Sequence, residues 1–455
     1  SQTNQFTVVT KKNRQKHTSK NKTLTPHVSG DVRDTHQEYP TVDRNVNVRP
    51  VVKNRKVKTA QPKVQVNLGA PVPNPPIVTR GDAGSELSAL FKRADKIPIP
   101  EVEGGFVRGF YLLLQKFDAF PTIEVDEGFL RAWMNTLRSS KKAAMEAALA
   151  EPIAPKGMHD KSVITKLEVH NKAPGSAPRV VYDGTDRSNL VMGAVTNELS
   201  KRMSSVLSLS NPRNKGHKFV YASGMNSKEI AETVTQFHGH YVEADFKSND
   251  ALQSPDMRKY EAMFYKKLGA PMWYCAEVAK CTEWTVFTPH GMTVEIYGQR
   301  LSGECPTATG NTFVNICIKL AGLSHTSSPE SFSIILGDDE LTIIQSPVLS
   351  TVPAVEILQP VVEAYQESAR QAGMQVEIAL PKPHMATFLR KRFYAPHGNH
   401  EMAVPVPMMG RLTERLPMRA NLNATVSDRD YMAGKFLSAA YEVRYFDRLR
   451  DLLLD

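Results

Sequence analysis

The residues with the clearest capacity for chemistry lie between positions 240 and 345. HYVEADF (240–246) is a strand-like run that reaches Asp245, and Asp250 follows five positions later. SFSIILGDDELTIIQ (331–345) is nearly symmetric, with apolar β-formers on both sides of Gly337-Asp338-Asp339. Such a segment predicts a hairpin whose tight turn is made by those three residues, holding two carboxylates at a rigid junction. Between the two segments, LSGECPTATGNTFVNICIKLAGL (301–323) carries Ser302, Gly303, Thr307 and Asn311 in the pattern S-G-x-x-x-T-x-x-x-N. Thr307 and Asn311 are four apart, so a helix puts them on one face while Phe313, Ile316 and Leu320 cover another. Gly303 admits loop conformations that a side chain forbids. An Asp-Asp pair alone is most often plain turn chemistry. Three segments in fixed order, 57 residues from Asp245 to Ser302 and 36 from Ser302 to Asp338, make an acidic constellation instead.

On these residues the sequence resembles the viral RNA-dependent RNA polymerases. Asp245 and Asp250 match the D-x-x-x-x-D of motif A, Ser302 to Asn311 match motif B, and Gly337-Asp338-Asp339 match motif C, in the unpermuted order. HNKAPGSAPRVVYDGTDRSNLVMG (170–193) looks like the basic motif F, with Lys172, Arg179 and Arg187 facing incoming phosphates. Its Pro-Arg-Val-Val and Asn-Leu-x-x-Gly are most similar to polymerases of tombus- and noda-like positive-strand viruses, whereas Glu304-Cys305-Pro306 departs from that branch. VEILQPVVEAYQESARQAG (355–373) resembles motif D, and FLRKRFY (388–394) resembles motif E.

The resemblance implies template-directed RNA synthesis that replicates a viral RNA genome by two-metal nucleotidyl transfer. An RNA 3′-hydroxyl attacks the α-phosphorus of a nucleoside triphosphate and pyrophosphate leaves. Asp245 and Asp338 would bridge a pair of Mg2+ ions, with Mn2+ the alternative, and Asp339 would be an auxiliary ligand. Lys172, Arg179 and Arg187 would offset the triphosphate charge. Asp250 and Asn311, positioned by Ser302, Gly303 and Thr307, would read the 2′-hydroxyl that separates NTP from dNTP. Lys382 would protonate the pyrophosphate. Arg390, Lys391, Arg411 and Arg415 would contact RNA. Expected partners are the RNA template and product strand, NTPs, and other viral replication or capsid proteins. Two competing classes are a reverse transcriptase, which typically has an aromatic near the position of Asp250, and a non-catalytic RNA-binding or capsid-type protein.

The elements that must position these residues follow from periodicity. Apolar spacing predicts helices over 85–96 with Ser85 as N-cap, over 105–117 and over 127–151. Strand-like runs are VITKLEV (163–169), RVVYD (179–183) and HYVEADF (240–246). Helices and strands mix without strict alternation, which predicts the α+β class. The resemblance divides the chain as a right hand. Fingers span 81–238, with motif F near 166–193. The palm spans 239–395 with an antiparallel sheet, the GDD hairpin and a fingers insertion near 254–298. A small helical thumb spans 396–455. The last helix is capped by Ser427 or Asp428 and carries Tyr431, Phe436, Tyr441, Tyr445 and Leu449 near helical spacing.

Composition narrows the setting. The 455 residues are 41% apolar and 23% charged, and no apolar run is long enough to span a bilayer. SQTNQFTVVTKKNRQ has no apolar h-region, so no secretory signal is expected there. A start without Met is what a cleavage product would show. Four cysteines argue against a disulfide scaffold and for ordinary thiols in a reducing compartment. The net charge of +10 is uneven: residues 1–80 hold 15 Lys+Arg and 4 Asp+Glu, which leaves the remainder at −1. That stretch is poor in aromatics and ends in PVPNPP (71–76). It reads as a disordered basic arm whose clusters KKNRQK (11–16) and KNRKVK (53–58) suit RNA phosphates or an anionic membrane surface, or as a solvated linker. The expected location is the host cytoplasm, at membrane-associated replication complexes or within the virion.

Overall fold

The computed structural model describes residues 105–150, 160–166, 169–170, 179–280, 283–289, 291–324, 326, 330–345, 354–410, 412, 416, 418–420 and 426–454. Nearer the N-terminus it describes 7–8, 22–23, 48–50, 65–67, 77–78, 83–94, 96 and 101. Helices α1 (Ala83–Ala94), α2 (Gly105–Leu114), α3 (Glu127–Met134) and α4 (Ser139–Ala150) come first. Next are β1 (Asp160–Thr165), β2 (Val180–Asp183), α5 (Asp186–Val206), β3 (His217–Tyr221), α6 (Ser227–Thr235) and β4 (Gly239–Phe246). The one-turn α7 (Asn249–Leu252), α8 (Pro255–Lys267), α9 (Met272–Lys280), β5 (Glu283–Phe287) and β6 (Thr293–Tyr297) follow. Then come α10 (Thr307–Leu323), β7 (Ser331–Leu336), β8 (Asp339–Gln345), α11 (Ala354–Gln371) and β9 (Val376–Ala379). The chain ends with β10 (Lys391–Tyr394), β11 (Val404–Pro407), α12 (Asp428–Glu442) and α13 (Asp447–Leu454).

The class is α+β. One sheet has the order β9-β4-β8-β7-β3. The apolar arms on either side of Gly337-Asp338 pair antiparallel as β7 and β8, with Leu336 opposite Asp339. Asp339 is thus the first residue of β8, and the turn itself is two residues long. The sheet is not wholly antiparallel as expected: β3 runs parallel to β7 at one edge. A parallel neighbour needs a long crossover, and β3 comes from the segment read as fingers. A second sheet joins β6, β5, β1 and β2, so the 254–298 segment contributes a hairpin beside β1, and Val48–Pro50 adds an edge strand to β6. Gln65–Asn67, another described piece of the basic arm, pairs with Met418–Ala420.

Two expected helices are each broken. The 127–151 stretch divides after Met134, where the Thr136 hydroxyl donates to the Trp133 carbonyl at 2.7 Å and competes with the helical ladder. The last helix, capped by Ser427 at the Asp430 amide, divides at Val443, a fully buried residue after which the chain tightens to an i,i+3 bond from Phe446.

The largest core surrounds α10, which is buried from Thr309 to Leu323. It packs on α2 and α11. Phe313 stacks on Phe264 at 4.8 Å and meets Phe110 edge-on at 6.2 Å. α2 comes this close because position 109 has no side chain: a Cβ there would lie 1.7 Å from the Cys317 carbonyl oxygen. We predict that Gly109→Ala pushes α2 off α10 and costs about 3 kcal/mol of stability. Denaturant unfolding of the two proteins measures it, and equal midpoints would contradict this packing.

Candidate active site

Asp245 lies near the end of β4, whose neighbours are β8 and β9. Ala244 is opposite Glu340, so the next step of the antiparallel register brings Asp245 level with Asp339. Asp338 occupies the turn between β7 and β8, where Gly337 has φ +69°. A positive φ at the first turn residue alone is the II′ form, whose twist suits two paired strands. Both polar backbone groups of Gly337 are held by α10: its N–H donates to Thr312 Oγ1 and its carbonyl accepts from Asn315 Nδ2, each at 2.8 Å. Desolvation and the like charges of Asp338 and Asp245 push the Asp339 carboxyl above its ordinary value, while Arg390 and Arg179 pull it down. Three carboxylates and two guanidinium groups, separated by up to 211 positions in sequence, therefore act on one point.

Asp250 is brought to a second cluster. Between it and Asp245 the chain turns at Ser248, which is left-handed at φ +50°, into the one-turn α7. Ser302 Oγ donates to Asp250 Oδ2, and Asn311 Nδ2 donates to Asp250 Oδ1 at 2.7 Å. The Ser302 carbonyl accepts from Tyr182 N–H at 2.8 Å, which sutures this loop to β2. Gly303 is obligatory here: its φ is +102°, and a Cβ would lie 2.6 Å from the Tyr182 carbonyl oxygen. Thr307 opens α10 and donates from Oγ1 to the Leu301 carbonyl at 3.1 Å. Phe313, Ile316 and Leu320 enter the main core. Asp250, Ser302 and Asn311 are thus brought together, and Thr307 lies one turn before Asn311 on the same helix.

The expected cations divide. Arg179, just before β2, and Arg390 both pull on the Asp339 carboxyl by their charge. Arg390 is delivered by a tight turn closed in both directions between Phe388 and Lys391 at 3.0 Å, with Leu389 and Arg390 left-handed at φ +49° and +64°. Lys391 instead turns to Glu442 at 2.6 Å and Ser227 at 2.8 Å, joining β10 to α12 and α6, so its amine is held by an ion pair away from the Asp339 carboxyl. Arg187 donates to the Ala148 carbonyl at 2.6 Å, which ties α5 to α4. Lys382 is exposed just after β9 and makes no ion pair among the described residues. Lys172, Arg411 and Arg415 lie outside the described residues. So does Cys281; Cys275, Cys305 and Cys317 are free thiols.

A family model described as RNA dependent RNA polymerase matches residues 106–356, just over half of the chain and the whole of both clusters' Asp and Asn residues. The chain belongs to that family. It is a viral polymerase of the positive-strand kind that makes RNA on an RNA template. No curated protein matches it.

The polymerase also contains residues that periodicity and spacing did not mark. Beneath the β7–β8 turn, Lys319 of α10 contacts Glu340, and both are buried. Ser333 and Thr342 hydroxyls reach the Lys319 amine, and Glu340 accepts from Thr342 at 2.8 Å and from Tyr365 at 3.0 Å. Burial pushes the Lys319 pKa well below its ordinary value, a penalty that these contacts oppose. Behind Asp250, Arg258 meets Glu304 at 2.6 Å and Arg300 meets Glu261 at 2.5 Å, all four dry. The Glu304 that departs from the tombus-like pattern is therefore a structural ion-pair partner, and its Oε1 also accepts from Leu301 N–H at 2.6 Å. The available signal was charge at positions flanking the S-G turn. We predict that Lys319→Met, which strands Glu340, costs about 3–5 kcal/mol, and that adding Glu340→Gln recovers most of it. Thermal denaturation of the single and double variants checks this; a single variant as stable as the parent would show that the pair carries no such coupling.

Proposed function

We propose that the polymerase joins nucleotides at the Asp245–Asp338–Asp339 cluster, and that the sheet β9-β4-β8-β7-β3 is its palm, the β1–β2–β5–β6 sheet its fingers and α12–α13 its thumb. The observation that carries this reading is the gathering of three carboxylates from β4, the β7–β8 turn and the start of β8, within the electrostatic reach of Arg179 and Arg390, in a chain of this family. The donor set is entirely hard oxygen, which fits Mg2+ or Mn2+, and the mutual repulsion within the cluster is what a divalent cation would relieve. Among the described residues no three ligands form a ready-made cage. Two such ions, when bound, would activate the RNA 3′-hydroxyl and stabilise the departing pyrophosphate.

The chain's own residues would do the rest. Asp245 would carry its ligand oxygens from the end of β4 and Asp338 from the β7–β8 turn, with Asp339 beside them at the start of β8. Arg179 would hold the triphosphate oxygens by charge-assisted hydrogen bonds, with Lys172 as the further motif F candidate. Arg390 would face the same charged ground from the other side. Asp250 accepts from Ser302 and Asn311, so its remaining lone pairs are oriented to accept from a ribose 2′-hydroxyl. A substrate lacking that hydroxyl would leave those lone pairs of the half-buried carboxylate without their donor.

Asp338→Ala is expected to abolish nucleotide incorporation on a primed RNA template, a loss of at least about a thousandfold, while RNA is still retained in a filter-binding assay. Robust synthesis by that variant would remove the metal-site assignment. Asp250→Ala is expected to narrow the preference for NTP over dNTP in single-nucleotide addition. A parent protein that extends with dNTPs as readily as with NTPs would favour the reverse-transcriptase reading instead.

A further inference from the structure

Asp250 does not stand on its two direct partners alone. Arg300 can only donate hydrogen bonds, and its Nε–H donates to Gln253 Oε1 at 2.7 Å. That contact fixes which end of the Gln253 amide is oxygen. The other end, Nε2, faces Asn311 and donates to Oδ1 at 2.8 Å. The Asn311 amide is fixed in turn, with Nδ2 left to donate to Asp250 Oδ1 at 2.7 Å. The donor-only guanidinium at one end and the acceptor-only carboxylate at the other require the same polarity at every link. The path also closes on itself, because Arg300 N–H donates to the Asp250 carbonyl at 3.1 Å.

Arg300 is not free to turn. Its guanidinium meets Glu261 and donates to the Pro306 carbonyl at 3.2 Å. It lies flat on α10 at Gly310, where a Cβ would come within 2.3 Å of Nη2. Gln253 and Arg300 are each 1% exposed, so water does not compete for these bonds. An amide is nearly symmetric in shape, so its orientation is set by its neighbours: the acceptor-only Asp250 carboxylate takes Nδ2 on one side, and Gln253 Nε2 takes Oδ1 on the other. Flipped, it would present Oδ1 to the Asp250 carboxylate and repel it.

From this relay we propose that Gln253 and Arg300 are positioning residues for sugar selection: they orient Asn311 so that Asp250 is held ready for a ribose 2′-hydroxyl. The proposal rests on the reading of Asp250 and Asn311 given above. Neither Gln253 nor Arg300 touches substrate. Their effect passes through Asn311.

The full chain is assayed for single-nucleotide addition to a primed RNA template with an NTP and its 2′-deoxy counterpart, comparing the parent with Asp250→Ala and Gln253→Glu. Glutamate keeps an oxygen for Arg300 and removes the donor to Asn311. The ratio of kcat/KM for NTP to that for dNTP is expected to fall by roughly tenfold or more, mainly through a higher KM for the NTP. A variant that is merely less stable loses both activities in proportion and keeps its ratio. Gln253→Leu is the second variant, and it stands in if glutamate at 253 does not fold. If Asp250→Ala narrows the ratio while the folded Gln253 variants keep it, the relay is overturned and the ribose reading stands. If Asp250→Ala itself leaves the ratio unchanged, both fall together.

Discussion

The rest of the site depends on one buried helix that carries polar side chains along a single edge. On α10, Asn311 holds Asp250, Thr312 and Asn315 hold both backbone groups of Gly337, and Lys319 holds Glu340 under the same turn. These positions recur at one, four and eight residues from Asn311, so they form one ridge. A helix rises about 1.5 Å per residue, and the ridge therefore works as a fixed gauge between the Asp250 pocket and the Asp338 turn. A hairpin tip projecting from a sheet would ordinarily satisfy its backbone groups with water. Here they are satisfied from inside, which ties the position of Asp338 to helix backbone and not to loop conformation.

Such a helix has to be buried on all sides, and burying its polar ridge is costly unless every group is answered. Asn315 Oδ1 is left without a hydrogen-bond partner among the described residues, but the other groups of the ridge are met, with two dry charge clusters beside the helix, Arg258–Glu304 with Arg300–Glu261 on one side and Lys319–Glu340 on the other. Replacing ion pairs of this kind by well-packed apolar residues is often neutral or stabilising, so stability is a poor reason for their presence. Geometry is a better one. A guanidinium gripped at several points defines direction in a way that an apolar side chain cannot, and the relay from Arg300 through Gln253 to Asn311 uses that direction. The near-neutral charge of the body, −1 outside residues 1–80, agrees with cations committed to particular partners and not spread as a general basic face.

What could be read in the sequence was the chemistry carried by short, locally patterned segments. The strand reaching Asp245, the hairpin around Gly337-Asp338 and the S-G-x-x-x-T-x-x-x-N spacing each depend on residues a few positions apart, where strand and helix periods constrain geometry directly. Two motifs at a distance could be ordered but not joined; that β4 lies beside β8 is a matter of sheet order. Gln253 was invisible because its partners are 58 and 47 positions away. Arg300 carried no local pattern, and Glu304 stood out only as a departure from the tombus-like filling. Lys391 matched a basic motif, yet its amine is drawn to Glu442, since a nearby carboxylate offers a better partner than solvent. The split of the 127–151 helix depended on a threonine hydroxyl competing for one carbonyl, which periodicity does not register. The parallel strand β3 reached the main sheet from a segment assigned elsewhere because a crossover has no local signature.

Backbone strain follows the same logic. Among the described residues, the non-glycine positions with positive φ are Ser248, Leu389, Arg390 and His397. The first three lie beside the two clusters: Ser248 between Asp245 and Asp250, and Leu389-Arg390 in the turn that brings a guanidinium toward Asp339. A left-handed residue costs roughly 1–2 kcal/mol, so these conformations persist only if their flanks are held more strongly than that. Ser248 is followed by buried Asn249 and by Asp250 with its two side-chain donors; the other turn is anchored by Phe388 at 2% exposure and by the Lys391–Glu442 pair. Glycine at these positions would relax the backbone and widen the range of directions available to Asp250 and Arg390. The sequence instead keeps side chains with restricted torsions where aim matters, and places glycine at 303 and 337, where a Cβ would collide or the turn requires it.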